Sequence, residues 1–244
     1  MLALAERRVA SRGPFQMPTG RPGVDQSHFA SRNLLFSGVP FNSGFVNLLS
    51  GKAGTKNGSP TESIVSPLGR SSVVPGGGSF HGYTYTGQDA TNFTSNTIAV
   101  IGSFNSIATT QYFFANNTNS NGVGINITSA GLLQWTMFGV VAVSSTITLV
   151  VNVPYFIIAS KNGSTGISWL VMRLDTGVIV TASTASGTPN AGNGTYIVGN
   201  GVTTTTPMIG NLAAVMFSSA YHAPALLRQW AANPWALWYP GGRY

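Results

Sequence analysis

The sequence contains no cysteine, so a disulfide framework and a metal site built from thiolates are both excluded. The absence also fits a protein made in a reducing cytoplasm. No stretch reaches the ~18 apolar residues that a membrane-spanning helix needs, and the apolar run near the N-terminus is too short for the core of a signal peptide. We therefore expect no membrane partner.

Charge is also scarce. Charged residues make up 7% of the 244 residues, whereas about 25% is typical of soluble domains. A monomer with so little charge is poorly protected against association, because charge keeps exposed edges and patches apart. The composition predicts a protein that is packed in an assembly and forms homo-oligomers. The alternative is a secreted, hydroxyl-rich β domain of the adhesin type.

The net charge of +7 raises nucleic acid as a partner, because phosphate neutralisation dominates such binding. Five arginines, however, lie within the first 32 residues, against two acidic residues, and the other basic residues are scattered. The positive charge is mostly a property of an N-terminal segment, which could dock on an acidic protein surface as readily as on a polyanion. Nucleic acid is therefore not the expected partner.

Residues 1–45 contain four prolines and repeated glycine, serine and arginine, without helical or strand periodicity. This pattern predicts an extended basic arm and not a domain. The arm is too apolar for a solvated tail, so its side chains need a partner surface, either on this chain's own sandwich or on a neighbouring subunit. The residues predicted to dock are Arg7, Arg8, Arg12, Phe15, Arg21, Phe29, Arg32, Phe36 and Phe41.

Residues 46–244 show short β-rich runs separated by turn residues about every 8–12 positions, which predicts an all-β, two-sheet antiparallel jelly-roll sandwich. The run Val123–Thr128 alternates between apolar and small or polar residues, as a half-buried strand does. One short helix is predicted over Ala225–Ala232, with Pro224 in its first turn and Pro234 beyond its end.

Two segments resemble the laminin G-like, concanavalin A-like jelly rolls that are widespread in bacteriophage genomes. In residues 154–183, two strands surround a small Asn-Gly turn and an Asp-Thr-Gly hairpin follows. In residues 194–240 the closing strands of the family are matched, and residues 233–238, Asn-Pro-Trp-Ala-Leu-Trp, are similar to the tail on which many phage members end. The matching positions of the closing strands are Gly199, Gly210, Leu212, Val215 and Phe217.

The resemblance implies a two-sheet sandwich of the type found in phage tail, fibre and head-decoration proteins, and elsewhere in carbohydrate-binding modules and glucanases. Since a fold alone does not determine function, two hypotheses follow. The first is a structural bacteriophage virion protein, located on the particle as a head decoration or tail component and anchored to capsid or tail subunits by its N-terminal arm. The alternative is a carbohydrate-binding adhesin domain that attaches to a host polysaccharide.

Catalytic signatures are missing from the sequence. Glycoside hydrolysis needs two carboxyl groups that flank the scissile bond, and no two of the five acidic residues lie within a strand's reach in sequence. The three histidines show no metal-ligand spacing. Asp89, beside Thr91 and Asn92, is the best local calcium cluster, but a loop residue that bonds its own backbone explains it better. We expect a non-enzyme without catalytic residues, metal or cofactor.

Aromatic residues could provide stacking surfaces for a sugar. Trp135 and Trp169 lie inside apolar runs, so core packing is the better interpretation for both. The C-terminal rings Trp230, Trp235 and Trp238 would form an apolar patch if all of them faced water. We expect that cluster to be buried against the sandwich or against another subunit. The other candidates for sugar stacking are Tyr83, Tyr85 and Tyr112.

Overall fold

The computed structural model describes residues 17, 22–41, 44–65, 68–74, 81–88, 94–118, 121–187, 194–201 and 206–239. Within these ranges the chain forms two antiparallel sheets of ten and seven strands and one short α-helix. The all-β jelly-roll sandwich predicted from the sequence is confirmed.

The elements are as follows in chain order. The strands are β1 (Leu34–Phe41), β2 (Gly44–Asn47), β3 (Lys52–Ala53), β4 (Thr55–Asn57), β5 (Thr61–Val65), β6 (Gly69–Val74), β7 (Gly82–Tyr85), β8 (Asn96–Phe104), β9 (Gln111–Thr118), β10 (Asn121–Ile127), β11 (Leu132–Met137), β12 (Val141–Thr148), β13 (Tyr155–Asn162), β14 (Gly166–Arg173), β15 (Ile179–Thr184), β16 (Tyr196–Val198) and β17 (Gly210–Ser218). A 3₁₀ turn spans Phe29–Ser31, and helix α1 spans Pro224–Ala231.

The larger sheet has the strand order β15-β14-β13-β8-β17-β1-β2-β3, and the β5–β6 hairpin is attached to it through β17. The smaller sheet has the order β12-β11-β10-β9-β16-β7-β4. The late strand β17 lies between β8 and the early strand β1. Distant parts of the chain therefore meet in the middle of the larger sheet.

The core between the sheets is rich in aromatic side chains. The ring of Phe217 lies 5.3 Å from that of Phe114 and 5.6 Å from that of Tyr196, so the larger sheet contacts the smaller one directly. Phe36 on β1 is fully buried and packs edge-on to Tyr196 at 5.8 Å. Burying side chains of this size stabilises the fold by roughly 1.5–3 kcal/mol each.

A second apolar layer covers the outer face of the larger sheet. It consists of residues 22–33 and 224–239, which we call the terminal layer. The two segments are joined by backbone hydrogen bonds from Gly23 to the carbonyl of Trp238 at 2.9 Å and from Asp25 to that of Leu237 at 2.8 Å. Because both faces of the larger sheet are covered, its central strands β8 and β17 are buried along their whole length.

The domain boundary predicted at residue 45 needs correction. Strand β1 pairs with β17 on one side and β2 on the other, so residues 34–41 belong to the sandwich and not to an extended arm. This strand could not be recognised from the sequence. Both of its faces are buried, and a strand of that kind lacks the alternation of apolar and polar residues. Gly38 and Pro40 also give the segment the composition of a loop.

Candidate binding groove

Two hollows adjoin on the outer face of the larger sheet, where the terminal layer ends. The first, of about 370 Å³, lies between α1 and strands β14 and β15. The second, of about 450 Å³, continues it toward the turn between β13 and β14. The two hollows share Ser168 and Ser183, and together we call them the β14–β15 groove. Its other polar lining residues are Asn162, Thr165, Thr181, Thr184, Tyr221 and Arg228.

Cross-strand register brings the hydroxyl groups of the groove together. Ser168 on β14 is paired with Ser183 on β15, and Leu170 is paired with Thr181. Residues two apart along a strand point to the same face, and Leu170 packs in the apolar cluster of the terminal layer. The hydroxyls of Ser168, Thr181 and Ser183 therefore lie on the outer face, next to the edge of the apolar cover.

The turn at the far end of the groove is held by a buried cation. The ammonium group of Lys161, a fully buried residue, donates hydrogen bonds to the carbonyl of Thr94 at 2.8 Å and to that of Gly163. Burial lowers the pKa of Lys161. Gly163 has a φ of 54°, which glycine adopts without strain. This anchoring fixes the turn that presents Asn162 and Thr165 to the second hollow.

Tyr221 is placed by the segment that leads from β17 into α1. The backbone N–H of the next residue, His222, donates to the hydroxyl of Ser160 at 2.8 Å, which holds the segment against β13. The Tyr221 ring is half-buried and lines the second hollow. A tyrosine in this position offers a flat apolar surface together with a hydroxyl group.

Arg228 extends from α1 over the first hollow. Its Nη2 lies 3.4 Å from the hydroxyl of Thr181, and the side chain is exposed. Neither of the two ion pairs that the described residues form includes it. Among the described residues that line the groove there is no aspartate, glutamate or histidine. The groove therefore offers hydroxyl and amide groups, one ring and one guanidinium to a ligand.

Of the aromatic residues considered from the sequence, Trp169 is among those that line the first hollow, but its side chain is almost completely buried. Trp135 and Trp169 are at most 1% exposed and belong to the core between the sheets, as do Tyr83 and Tyr85. Tyr112 lies on the smaller sheet, where its ring stacks on Phe138 at 5.5 Å. Its hydroxyl donates to Thr136 at 3.3 Å.

The C-terminal ring cluster lies within the terminal layer. Trp230, Trp235 and Trp238 are at most 1% exposed. Trp230 packs against Phe156 of the larger sheet at 5.3 Å and against Trp238 at 5.7 Å. The rings cover this chain's own sandwich, which was one of the two surfaces considered for them.

The predicted docking residues are distributed over several environments. Phe36 is buried in the core and Phe29 packs against Trp230 at 5.9 Å, so both contact this chain's own sandwich, which was one of the two surfaces considered for them. Phe41 is half-buried beneath the guanidinium of Arg70, and Arg32 is exposed. The docking role of the remaining residues stays a prediction. Those outside the described residues are Arg7, Arg8, Arg12, Phe15 and Arg21, and the calcium candidate Asp89 lies outside them too.

His28 lies in the terminal layer, and His222 lies two residues before the second segment of that layer. The Phe29 ring separates them, 4.5 Å from the ring of His28 and 5.2 Å from that of His222. Burial, together with the charge of His28, lowers the pKa of His222 to about 4, and burial lowers the pKa of His28 as well. Within the described ranges, no three His, Asp or Glu side chains group as metal ligands, and no helix is long and apolar enough to cross a membrane.

No model of a known protein family matches the sequence, and a search of curated proteins finds no match. Solved structures do match. The binding domain of botulinum neurotoxin serotype C1 aligns with a TM-score of 0.61 and 11% identity, over 83% of this chain and 52% of that chain. A type C neurotoxin structure, whose description makes cell entry dependent on two ganglioside molecules, aligns with a TM-score of 0.62 and 10% identity, over 85% of this chain and 52% of that chain.

Domain 4 of an extracellular arabinanase from Geobacillus stearothermophilus, in complex with arabinotriose, aligns with a TM-score of 0.60 and 13% identity, over 82% of this chain and 98% of that domain. The present chain spans about half the length of the neurotoxin chains and nearly all of the arabinanase domain. At these identities the similarity shows the β-sandwich fold alone. It gives no evidence for the bacteriophage origin that the sequence resemblance implied.

Proposed function

We propose that this chain is a carbohydrate-binding jelly-roll domain that binds a saccharide in the β14–β15 groove. The observation that carries the proposal is the groove itself, a continuous hollow of hydroxyl and amide side chains with a half-buried ring. Solved structures of the same fold support it, since their descriptions include gangliosides and arabinotriose.

The size and chemistry of the groove suit such a ligand. Each hollow falls within the range of about 300–1,000 Å³ that is usual for small-molecule sites. Serine, threonine and asparagine side chains both donate and accept hydrogen bonds, as sugar hydroxyls do. The ring of Tyr221 can contact the apolar face of a sugar ring. The binding is therefore assigned to the edge of the terminal layer and not to the aromatic core.

The comparisons favour the adhesin alternative over the virion role. Location on a virion and contacts with capsid or tail subunits stay predictions.

The predicted homo-oligomer also stays a prediction, but a feature of the structure favours it. The edge strands β12 and β15 carry no charged side chain, and Val141 and Val180 on them are 43% and 47% exposed. Uncharged sheet edges promote association.

Tyr221→Ala tests the proposed site. The wild-type chain should be retained on a panel of immobilised glycans, and the variant should bind the same glycans about tenfold more weakly or worse, which corresponds to about 1.4 kcal/mol. The matched control is Tyr112→Ala, which removes another half-buried ring from the other sheet and should leave binding unchanged. Thermal unfolding of both variants checks that they fold.

Three results would count against the proposal. Retention of Tyr221→Ala at wild-type strength would show that the groove is not the site. Loss of binding in Tyr112→Ala, with Tyr221→Ala unaffected, would move the site to the smaller sheet. Failure of the wild-type chain to bind any glycan of the panel would contradict a carbohydrate-binding function.

A further inference from the structure

We infer that the saccharide bound in the β14–β15 groove is acidic, and that its anionic group binds Arg228 in the first hollow. The inference rests on the proposed function and adds the chemical class of the ligand. It also orients the ligand, because Arg228 lines the first hollow while Tyr221 lines the second. The charged sugar then lies beside α1, and a neutral sugar lies toward Tyr221.

The guanidinium of Arg228 has N–H donors that are available for a ligand. Its one contact among the described side chains, to Thr181, is 3.4 Å long, beyond the usual 2.7–3.2 Å range for such bonds. Arginine carries five N–H donors in a planar fork that fits a carboxylate or a sulfate. An exposed fork at the wall of a hollow is therefore available to an anionic substituent.

The carboxylates of the described residues are occupied elsewhere. Asp25 accepts from the hydroxyl of Ser27 at 2.6 Å. Glu62 is paired with Arg70 at 3.9 Å, and Asp175 is paired with Arg173 at 2.7 Å. None of these three acids lines the groove. An anion that enters the first hollow therefore meets an uncompensated cation and no described carboxylate that would repel it.

The same lining argues against a polyanion such as nucleic acid. Binding to a phosphate backbone requires several cations in a row, and Arg228 is the one cation among the described residues that line the two hollows. The other polar groups are hydroxyls and one amide, which match sugar hydroxyls. A single cation among hydroxyls fits an oligosaccharide with one anionic group within the length of the groove.

The test compares Arg228→Gln with the wild-type chain on a panel that pairs sialylated, uronic and sulfated glycans with neutral glycans of the same backbone. The wild type should prefer the acidic members, and Arg228→Gln should weaken their binding about tenfold while it leaves the neutral members unchanged. The matched control, Arg173→Gln, lowers the net charge by the same amount on β14, outside the groove, and should keep the preference. Raising the salt concentration should reduce the preference of the wild type.

Each outcome is informative. Loss of the preference in Arg228→Gln alone supports the inference, and the bound members distinguish carboxylated from sulfated ligands. Equal binding of acidic and neutral glycans by the wild type, or equal losses in both arginine variants, would overturn the inference and leave the proposed function standing. Failure of the wild type to bind any member would instead contradict the proposed function.

Discussion

The outer faces of the two sheets differ in what covers them. Where the terminal layer covers the larger sheet, the outward side chains are mainly apolar, with Phe156, Ile158 and Met216 fully buried. On the smaller sheet the outward side chains are mainly polar and bond to one another across the strands. Thr136 donates to Asn126 at 2.8 Å, and Asn126 donates to Gln134 at 3.0 Å.

This polar row, which we call the amide–hydroxyl ladder, runs from Tyr112 on β9 to Ser144 on β12. Gln134 completes it by donating to Ser144 at 3.0 Å. Its groups satisfy one another, so few of them are free for a ligand. In the β14–β15 groove, by contrast, the neighbouring hydroxyls Ser168 and Ser183 lie in an open hollow. Polarity alone therefore does not mark a binding site, whereas polar groups beside an apolar boundary can.

Removing the central ring of the terminal layer should destabilise the fold most. Trp230→Ala should lower the free energy of unfolding by about 3–5 kcal/mol, because a fully buried tryptophan leaves a cavity that the surroundings cannot fill. Urea denaturation followed by circular dichroism measures the change. Phe138→Ala, which removes a half-buried ring from the outer face of the smaller sheet, is the control and should cost clearly less.

Equal losses for the two variants would contradict this comparison, because they would show that both outer faces depend on apolar packing to the same degree. Glycan binding by Trp230→Ala provides a second readout. Since Trp230 anchors α1, and α1 carries Arg228, displacement of the helix should weaken binding even at temperatures where the sandwich stays folded.

Acidification should destabilise the fold through His222, whose ring packs against Phe29 of the terminal layer. The pKa of His222 is lowered to about 4 from its ordinary value of 6.5, so the unfolded chain binds the proton more tightly than the folded chain. The free energy of unfolding therefore falls as the pH drops from 6.5 toward 4, and this group has little influence above pH 7. We expect a loss of about 2 kcal/mol, after a reduction for partial solvent screening.

Urea denaturation at several pH values checks this expectation. His222→Gln should remove most of the pH dependence of the free energy of unfolding between pH 6.5 and 4. The pH dependence that remains should come from His28, whose pKa is also lowered. The ladder of the smaller sheet contains no ionisable group in this range. If His222→Gln kept the full wild-type slope, the acid sensitivity would have to originate from groups other than His222.

Much of the fold could be predicted from the sequence because its signals are local. Alternation over Val123–Thr128 corresponds to β10, whose Val123, Ile125 and Ile127 enter the core. The two prolines that flank the predicted helix also frame α1, at Pro224–Ala231. Strand β1 was missed because a strand buried on both faces has no alternation, and its burial depends on segments more than 170 residues later in the chain.

The candidate groove could not be predicted, because it is created by tertiary packing. Arg228 and Thr181 are 47 residues apart in sequence, and they meet because α1 packs on β14. An exposed arginine on a short helix carries no sequence signal that distinguishes it from an ordinary solvated residue. The sequence instead suggested tryptophans as stacking residues for a sugar, and these tryptophans are buried in the core.

The smallest of these effects concerns the ladder. Thr136→Val preserves the side-chain shape but removes the hydroxyl that accepts from Tyr112 and donates to Asn126. We expect a loss of about 1 kcal/mol in the free energy of unfolding, since two partners lose a hydrogen bond where little water can replace it. Ser144→Ala, at the exposed end of the ladder, is the control and should change stability by less than about 0.5 kcal/mol. Unchanged stability in Thr136→Val would show that the fold does not need the ladder, and the smaller sheet would then have to be tested as a second binding face.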